Sequence, residues 1–451
     1  MLRFAPSPTG DLHIGNLRVA LFNYLLAKKL KRPLLLRIED TDLERNIENK
    51  DKDILALLDS FGLSFDSHSY QSDNFPMHRD LALKLVKEGK AFYCYCSKEF
   101  LESKRKEATN KKIAFRYDDS WSNLEKGNKT SSPIIRLRGG VSISFRDCVH
   151  GVLSFPANEI DSFVIMRNEI PTYNFACSVD DKDASLILRG QDHLSNTPKQ
   201  ILVKRALGFS EAVEYAHLPM LLNEEGKKLS KRDQSSSVSW LLSQGIEPSA
   251  LANYLILLGN SKLEQILGEV FSYEECWPHF ELGQLSRAPA HIDYKKMLHL
   301  NRNLLRKTKK PSDFYPALEA ALLACSPDSP LENLKVDSRF DSLISLYLGE
   351  VSTASEAVSL CALAFSPLAK KREKAVGLED EFDLLVGLLK GRTSFEDFKD
   401  MKESLAGESK LKGRGLFKPL RLILSGQDEG VELERLFAAL KIHLPSIMRI
   451  D

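Results

Sequence analysis

The N-terminal segment of this sequence constrains its fold more than any other part of the chain. Residues 2–5 predict a short buried strand, and residues 34–38, four of which are Leu or Ile, predict a second strand. Between them, apolar residues recur at helical spacing; they are Leu17, Ala20, Leu21, Tyr24 and Leu25. A strand, a helix and a strand at this spacing predict a βαβ unit, which requires a parallel sheet.

The rest of the chain changes its pattern twice. Residues 91–155 are polar and rich in Lys and Ser, with strand-like pieces at 134–137 and 142–145, and this indicates an insertion. The α/β pattern resumes with an apolar run at 185–188, and beyond Val238 nearly every segment has helical periodicity. We therefore predict an α/β half that is interrupted by an α+β insertion and followed by an all-α half.

Composition excludes several broad classes of protein. With 451 residues, of which 43% are hydrophobic and 28% charged, the chain is neither disordered nor fibrous. No apolar run approaches the ~20 residues that span a bilayer, and a predicted strand begins at once, so we expect no membrane anchor and no signal peptide. The seven cysteines include one close pair, Cys94 and Cys96, which favours a reduced cytoplasmic protein. A net charge of +1 neither requires nor excludes a nucleic-acid partner.

The turn after the first strand has the residue types of an anion-binding site. The sequence contains no Gly-x-x-x-x-Gly-Lys-Ser/Thr loop and no Gly-x-Gly-x-x-Gly after a strand. Instead, Gly10 and Gly15 let a ligand approach the backbone closely. His13 and Asn16 flank the N-terminus of the predicted helix, where backbone N–H groups attract anions. A structural role for His13 in the turn is the alternative.

A second stretch, residues 226–233, places four cations and a serine after a glycine. Basic runs of this kind are commonly solvated surface. However, three serines follow at 235–237, and a mobile basic loop suits a reaction in which phosphate charge develops and departs. Both interpretations remain open from this stretch alone.

Taken together, the two stretches resemble the paired signatures of the class I aminoacyl-tRNA synthetases. Residues 13–16 are similar to the first signature, with Asn16 in place of a histidine, and residues 228–232 are similar to the second. Further segments that resemble bacterial glutamyl-tRNA synthetases lie at 3–10, 37–42, 171–176, 189–197 and 412–421. The resemblance implies a Rossmann-type class I catalytic domain followed by a helical anticodon-binding half.

The resemblance implies that the chain ligates L-glutamate to tRNA in two steps. The α-carboxylate of glutamate attacks the α-phosphate of ATP, giving glutamyl-adenylate and pyrophosphate, and the 3′-terminal hydroxyl of tRNA then attacks the adenylate carbonyl. His13, Lys228 and Lys231 would stabilise charge on the phosphates, and Mg²⁺ would accompany ATP. The residues implied to bind ATP are Pro8, Thr9, Gly10, His13, Gly15, Asn16, Lys228, Leu229, Ser230 and Lys231.

The resemblance also implies a pocket for glutamate, which carries two carboxylates and one ammonium group. Arg3 and Arg189 can donate paired hydrogen bonds to carboxylates, and Glu39 can hold the ammonium group. The implied glutamate-binding residues are Arg3, Ala5, Ser7, Glu39, Tyr173 and Arg189. A surface ion pair with Arg37 or Arg45 is the alternative role for Glu39.

Zinc is not expected in this chain, although some relatives hold it in the insertion through two Cys/His pairs. Cys94 and Cys96 match the first pair, but residues 115–122, where the second pair is expected, contain neither cysteine nor histidine. A structural zinc almost always has four protein ligands. Cys177, near the implied glutamate pocket, has no assigned role.

The resemblance divides the chain into five predicted segments. They are the first half of the Rossmann catalytic domain at 1–85, an insertion that binds the tRNA acceptor end at 86–170, the second catalytic half with the basic loop at 171–235, a stem-contact helical region at 236–305 and a helical anticodon-binding region at 306–451. Basic groups that suit phosphate contacts in the helical half are Arg302, Arg306, Lys307, Lys309, Lys310 and residues 370–372. The implied partners are ATP, L-glutamate and tRNA-Glu, tRNA-Gln or both, and we expect a monomer.

Several alternatives stay open at this stage. Glutaminyl-tRNA synthetase is similar in its catalytic half, but its C-terminal half consists of β-barrels, and Arg189 favours an acidic substrate. A truncated relative that glutamylates a modified tRNA base lacks the anticodon-binding half. An inactive tRNA-binding paralogue would not need His13, Lys228 and Lys231. Finally, residues 115–121 and 412–421 resemble second-copy enzymes that place glutamate on tRNA-Gln.

Overall fold

The structure, a computed structural model, describes residues 1–42, 44–126, 133–229, 236–325 and 336–450. The chain divides into two compact units, Met1–Leu242 with Ala252–Asp293, and Ser243–Leu251 with Tyr294–Asp451. The boundaries of the five predicted segments are finer than this division and remain predictions. Across the described ranges, no helix has both the length and the apolar character that crossing a bilayer requires.

Up to residue 293 the chain contains both strands and helices. In chain order the elements are β1 (Leu2–Phe4), α1 (Ile14–Leu30), β2 (Leu34–Ile38), α2 (Lys50–Ser60), β3 (Ser67–Tyr70), α3 (Phe75–Lys87), β4 (Ala91–Cys94), α4 (Lys98–Asn110), β5 (Ile134–Leu137), β6 (Ile143–Asp147), β7 (Gly151–Phe155), β8 (Phe163–Arg167), β9 (Ile170–Pro171), α5 (Tyr173–Asp180), β10 (Leu186–Gly190), α6 (Thr197–Leu207), β11 (Glu214–Leu218), β12 (Leu221–Leu222), α7 (Val238–Ser243), α8 (Pro248–Leu257), α9 (Ser261–Leu267), α10 (Tyr273–Cys276) and β13 (Ala290–His291).

The predicted βαβ unit at the N-terminus is confirmed. Strand β1 pairs with β2 in parallel, with Leu2 opposite Leu34, and β2 pairs in parallel with β3. Helix α1 connects the first two strands, and its C-cap is Lys31, which adopts the left-handed conformation with φ of 52°. Most of the strand and helix apolar residues that predicted this unit are buried, because a parallel sheet is covered by its crossover helices.

A second set of parallel strands lies later in the chain. Strands β10 and β11 are parallel, with Arg189 opposite His217. Strand β11 also pairs in parallel with β6, which forms an antiparallel hairpin with β7. Two strands that the sequence placed in the insertion, β6 and β7, therefore extend the sheet of β10 and β11, whereas β4, β5, β8 and β9 form a separate antiparallel sheet.

The second unit is helical throughout its described residues, as predicted. Its remaining elements are α11 (Tyr294–Thr308), α12 (Tyr315–Cys325), α13 (Asp341–Leu348), α14 (Ala354–Leu363), α15 (Leu368–Arg372), α16 (Glu379–Gly391), α17 (Phe398–Ser409), α18 (Arg414–Ser425), α19 (Leu433–Leu440) and α20 (Leu444–Ile447). The apolar faces of α12 to α20 meet in one core that includes the fully buried Phe340, Phe365, Leu385 and Leu420.

One of the predicted phosphate-binding groups in this unit is wrong. Lys371 is 1% exposed, and its Nζ donates to the carbonyl oxygens of Ala364 and Ile423, each at 2.7 Å. Its neighbour Arg372 is bound by the carboxylate of Asp383. Lys371 therefore satisfies carbonyl groups at two helix ends instead of facing a nucleic acid, because its long side chain points into the core from the short helix α15.

Candidate active site

A cavity of about 610 Å³ in the first unit collects most of the predicted site residues. The lining residues among those predictions are Arg3, Ala5, Ser7, Thr9, Gly10, His13, Gly15, Asn16, Glu39, Tyr173, Arg189, Lys228 and Leu229. Pro8 is not in the lining, and Ser230 and Lys231 lie outside the described residues. Elements from distant parts of the chain thus converge on one space, since both parallel segments contribute the carboxyl ends of their strands.

His13 forms the N-terminal cap of α1. Its Nδ1 accepts hydrogen bonds from the backbone N–H groups of Gly15 at 3.1 Å and Asn16 at 3.4 Å. In a neutral ring the proton is therefore on Nε2. A side chain at Gly15 would place its Cβ 2.9 Å from the His13 ring, so only glycine fits beside this cap.

His13 of the first signature stretch and the described start of the second, Lys228 and Leu229, all line the cavity. Backbone contacts join Lys228 to Leu222 and His13 to Ser237, and Val238 donates its N–H to the carbonyl oxygen of Leu12 at 3.2 Å. The start of the basic stretch is thus held beside β12, and the chain that follows it is held beside the first turn of α1.

A buried chain of charges connects the two ends of the predicted glutamate pocket. Asp181 accepts from Arg3 Nε at 3.1 Å and Nη2 at 3.2 Å, and from Arg37 Nη1 at 2.7 Å. Arg37 Nη2 in turn donates to Glu39 at 3.1 Å. The ion pair offered as the alternative for Glu39 therefore exists with Arg37, but it is buried, and Glu39 still lines the cavity.

Asp181 is ionised in this network. Burial alone raises the pKa of its carboxyl group, but the charges and hydrogen bonds of Arg3 and Arg37 outweigh burial and hold that pKa well below its usual range. Arg3 has one N–H left on each of Nη1 and Nη2 after its bonds to Asp181 and to the Leu188 carbonyl oxygen. These two donors are the ones with which Arg3 can meet a carboxylate.

Cys177 lies at the same network, on α5. Its thiol is buried and donates to Glu39 Oε1 at 3.1 Å. Burial and the Glu39 carboxylate raise the pKa of Cys177 well above the ordinary value, so the thiol remains protonated. Cys177 therefore acts as a donor to Glu39, a role that the sequence left undetermined.

Tyr173 has a partner beside the cavity. Its hydroxyl lies 2.9 Å from Nδ1 of His193, which also lines the cavity. Burial raises the pKa of Tyr173 well above its usual value and lowers that of His193, so both rings are neutral near pH 7. A Tyr173 proton donated to His193 is not at the same time available to a substrate carboxylate.

Arg189 is held at two of its three nitrogens. Its Nη2 donates to the Thr197 hydroxyl at 2.8 Å, and its Nε donates to His217 Nε2 at 3.2 Å. Its Nη1 is buried and has no hydrogen-bond partner within the described residues, although Arg189 lines the cavity. A buried donor without a partner is costly, and a ligand carboxylate in the cavity would satisfy it.

The insertion holds its cysteines against aromatic rings. The Tyr117 hydroxyl lies 3.1 Å from Cys94 Sγ and 3.8 Å from Cys96 Sγ, and the Arg136 guanidinium sits 3.7 Å from the Tyr117 ring centre. Trp121 packs edge-on against Tyr117. In the portion of the chain that the structure describes, no group of three or more His, Cys, Asp or Glu side chains gathers to hold a metal ion. The donors at this position do not fit a zinc ion, because two thiols leave it without a full ligand set.

Sequence reasoning missed the residues that hold the pocket side chains from behind. They are Arg37, Asp147, Asp181, Thr197 and His217. Asp147, Asp181 and His217 share no motif with the residues that they bind, so no local signal distinguishes them from ordinary polar residues. Arg37 and Thr197 do lie in the resembling segments 37–42 and 189–197, together with Glu39 and Arg189, but nothing in those segments indicates that they bind these neighbours. Arg37 was considered only as a partner for Glu39.

Comparison with known proteins relates the chain to others over its full length. Residues 1–299 match the family model described as tRNA synthetases class I (E and Q), catalytic domain. The chain is 46% identical over 461 residues to the glutamate–tRNA ligase 2 of Helicobacter hepaticus, covering 100% of each chain. It is 45% identical over 460 residues, again covering 100% of each chain, to a Helicobacter pylori protein named GlutamylGlutaminyl-tRNA synthetase. A solved glutamate tRNA ligase from Elizabethkingia meningosepticum, in complex with its amino acid, has a TM-score of 0.79 and 25% identity over 99% of this chain and 98% of that one.

Proposed function

This chain belongs to the class I tRNA synthetases of the glutamate and glutamine type, and from that premise we propose that it is a glutamate–tRNA ligase that uses ATP. The observation that carries the proposal is a cavity whose charges match glutamate. Two arginines, Arg3 and Arg189, can pair with the two carboxylates, and Glu39 can pair with the ammonium group. The helical second unit favours this activity over glutaminyl-tRNA synthetase, whose C-terminal half consists of β-barrels.

The proposed reaction proceeds through glutamyl-adenylate. The turn from Thr9 to Asn16 and the stretch from Lys228 would hold ATP, with His13, Lys228 and Lys231 opposite the phosphates. His13 supports this role through its orientation, since Nδ1 faces the helix N-terminus and Nε2 carries the proton of the neutral ring. Mg²⁺ would enter with ATP as part of the substrate and neutralise phosphate charge.

Transfer RNA is the second substrate in this proposal. Residues 86–170 would bind the acceptor end, residues 236–305 the stem, and residues 306–451 the anticodon. The protein would work as a monomer in the cytoplasm. After the correction at Lys371, the candidate phosphate contacts in the helical half are Arg302, Arg306, Lys307, Lys309, Lys310, Lys370 and Arg372.

We further propose that tRNA-Gln is an acceptor. The observation in favour is the full-length similarity to the Helicobacter pylori protein whose name includes both amino acids, together with residues 115–121 and 412–421. The last base distinguishes the two anticodon sets, and one base contact is worth about 1–3 kcal/mol of discrimination. A few residues on helix surfaces can therefore change the preference.

Aminoacylation of purified tRNA-Glu and tRNA-Gln with labelled glutamate, at several salt concentrations, tests both proposals. We expect both tRNAs to be charged with glutamate and neither to be charged with glutamine. Charging of tRNA-Glu alone at every salt concentration would refute the proposal for tRNA-Gln and leave the ligase activity standing. Binding of both tRNAs without any charging would identify an inactive tRNA-binding paralogue instead.

A further inference from the structure

We infer that Asp147 and His217 are positioning residues that aim the guanidinium of Arg189 at the amino-acid end of the cavity. The inference rests on the proposed function, since it assigns Arg189 a substrate carboxylate. It concerns residues that carry no signature and that come from two different strands, β6 and β11. The side chains of Asp147, His217 and Arg189 adjoin one another, and each one limits whether the next can donate or accept a hydrogen bond.

The Asp147 carboxylate is anchored by four N–H groups. Its Oδ1 accepts from the backbone N–H groups of Val149 and His150, both at 2.9 Å. Its Oδ2 accepts from the backbone N–H of His217 at 3.1 Å and lies 2.7 Å from His217 Nδ1. Burial raises the pKa of Asp147, but these hydrogen bonds outweigh burial and lower it, so the carboxylate is ionised and can only accept.

His217 is fully buried, and its neighbours determine its protonation state. Because Asp147 can only accept, His217 Nδ1 carries a proton. His217 Nε2 receives the Nε–H of Arg189 at 3.2 Å and lies 3.0 Å from the Thr197 hydroxyl, which can donate to it. Because a guanidinium can only donate, Nε2 carries no proton. His217 is therefore a neutral ring in a single tautomer, which agrees with the lowering of its pKa by burial and, to a smaller extent, by the Arg189 charge.

The orientation of the Arg189 guanidinium is fixed by two of its nitrogens. His217 and the Thr197 hydroxyl take its Nε and Nη2, and the parallel pairing of β10 with β11 sets Arg189 directly beside His217. Two nitrogens of a planar group fix its plane, so the third is fixed as well. That third nitrogen, Nη1, is the buried donor without a partner in the described chain, and Arg189 lines the cavity.

The Asp147–His217 pair restricts the Arg189 guanidinium to one arrangement before the substrate binds. A guanidinium that lacked the Asp147–His217 support would have several arrangements available, and each substrate molecule would have to order it. Preorganised donors bind a carboxylate with less loss of freedom. It also means that Arg189 depends on Asp147 of β6, a strand from the sequence region predicted to contact tRNA.

Two substitutions of His217 separate positioning from packing. His217→Gln can keep an amide oxygen near the place of Nε2, whereas His217→Asn can keep a donor near Nδ1 but does not reach Arg189. We expect His217→Asn to raise KM for glutamate about tenfold or more, the cost of one lost hydrogen bond to a charged group. His217→Gln should raise it less than about threefold, and KM for ATP should stay within about twofold in both. His68→Asn, at an exposed histidine on β3, is the matched control and should change neither constant.

Two outcomes would overturn the inference: a KM for glutamate in His217→Asn equal to that of the wild type, or equal rises in both KM values in both variants. A wild type that charges no tRNA would instead contradict the proposed function. For that case, and for variants that fail to fold, the tautomer is measured directly on wild-type protein by nitrogen NMR of ¹⁵N-histidine. The His217 signal is assigned by its absence from His217→Gln or, if that variant does not fold, by through-space NMR contacts between His217 and Asp147. At pH 7.5 it should show a protonated Nδ1 and an unprotonated Nε2. A protonated Nε2 would refute the inference independently of any activity.

Discussion

Asp181→Asn is the substitution that most directly tests how the pocket is built. The carboxylate of Asp181 is the shared acceptor of Arg3 and Arg37, and the three residues are 1%, 4% and 1% exposed respectively. Asparagine has nearly the same shape but no charge, so the change leaves two buried guanidinium groups close together with only Glu39 to compensate them. Removing one partner of a buried ion pair typically costs about 3–5 kcal/mol, because the charge that stays behind is neither solvated nor paired.

Urea unfolding followed by tryptophan fluorescence measures this loss in the correct part of the chain. The protein has three tryptophans, Trp121, Trp240 and Trp277, and all of them belong to the first unit, as does Asp181. We expect the free energy of unfolding of this unit to fall by about 3–5 kcal/mol in Asp181→Asn. KM for glutamate should rise more than KM for ATP, because Arg3 loses the group that orients it.

The pH dependence gives an independent measure of the same charge. The folded-state pKa of Asp181 is depressed below its unfolded value of about 4, so its stabilisation is fully present above that value and is lost as pH falls toward the folded pKa. The difference in stability between wild type and Asp181→Asn should therefore be constant above about pH 5 and should shrink in more acidic solution.

Glu211→Gln is the matched control, because Glu211 also binds an arginine through two oxygens in the first unit. Its pair with Arg205 is 2.9 Å long but nearly half exposed, so its loss should cost at most about 1 kcal/mol. Equal losses in Asp181→Asn and Glu211→Gln would refute the reasoning, since burial would then add nothing to the pair. A cycle with Arg37→Gln should be non-additive by about 1 kcal/mol or more, since Arg37 and Asp181 are in direct contact.

Four further predictions concern Lys231, Arg3, Lys371 and the zinc content of the protein. Lys231→Ala should slow tRNA-dependent ATP–pyrophosphate exchange by about 10²–10³, the usual loss for one preorganised charge-stabilising group, and unchanged exchange would remove Lys231 from the mechanism. Arg3→Ala should weaken glutamate far more than ATP in steady-state kinetics, whereas equal losses would mean a general disturbance of β1. Burial, and then Lys374, lowers the pKa of Lys371 to about 7, so the unfolded state holds the extra proton between about pH 7 and 10, and stability should rise with pH across that window. In Lys371→Met, urea unfolding followed by circular dichroism at pH 7 and 9 should lack this part of the rise, and an identical rise in both proteins would contradict the burial of a charge there. Elemental analysis of dialysed protein should find no stoichiometric zinc, and about one retained zinc per chain would require ligands besides Cys94 and Cys96.

The sequence by itself determined the local architecture and the reacting end of the site. The βαβ unit and the helical second half follow from apolar spacing, which depends only on neighbouring residues and on the period of a helix or a strand. Each of the two signature stretches is an unbroken run of residues, so its resemblance to a family can be recognised without tertiary information. Their described residues do meet around one cavity.

Only the tertiary structure decided which side chains hold the pocket in place. Arg3 and Asp181 are 178 positions apart, and Asp147 and His217 are 70 apart, so no window of sequence contains both members of either pair. Asp180 and Asp181 are adjacent acidic residues, and in the sequence they look like an ordinary exposed pair. The fold instead buries Asp181 between Arg3 and Arg37. The same holds for Lys371, which lies in a basic run and yet points into a core. Periodicity predicts which face of an element is apolar, but the partner of a buried charge depends on which elements the fold brings together, because a charge is tolerated there only where an opposite charge or a set of hydrogen bonds meets it.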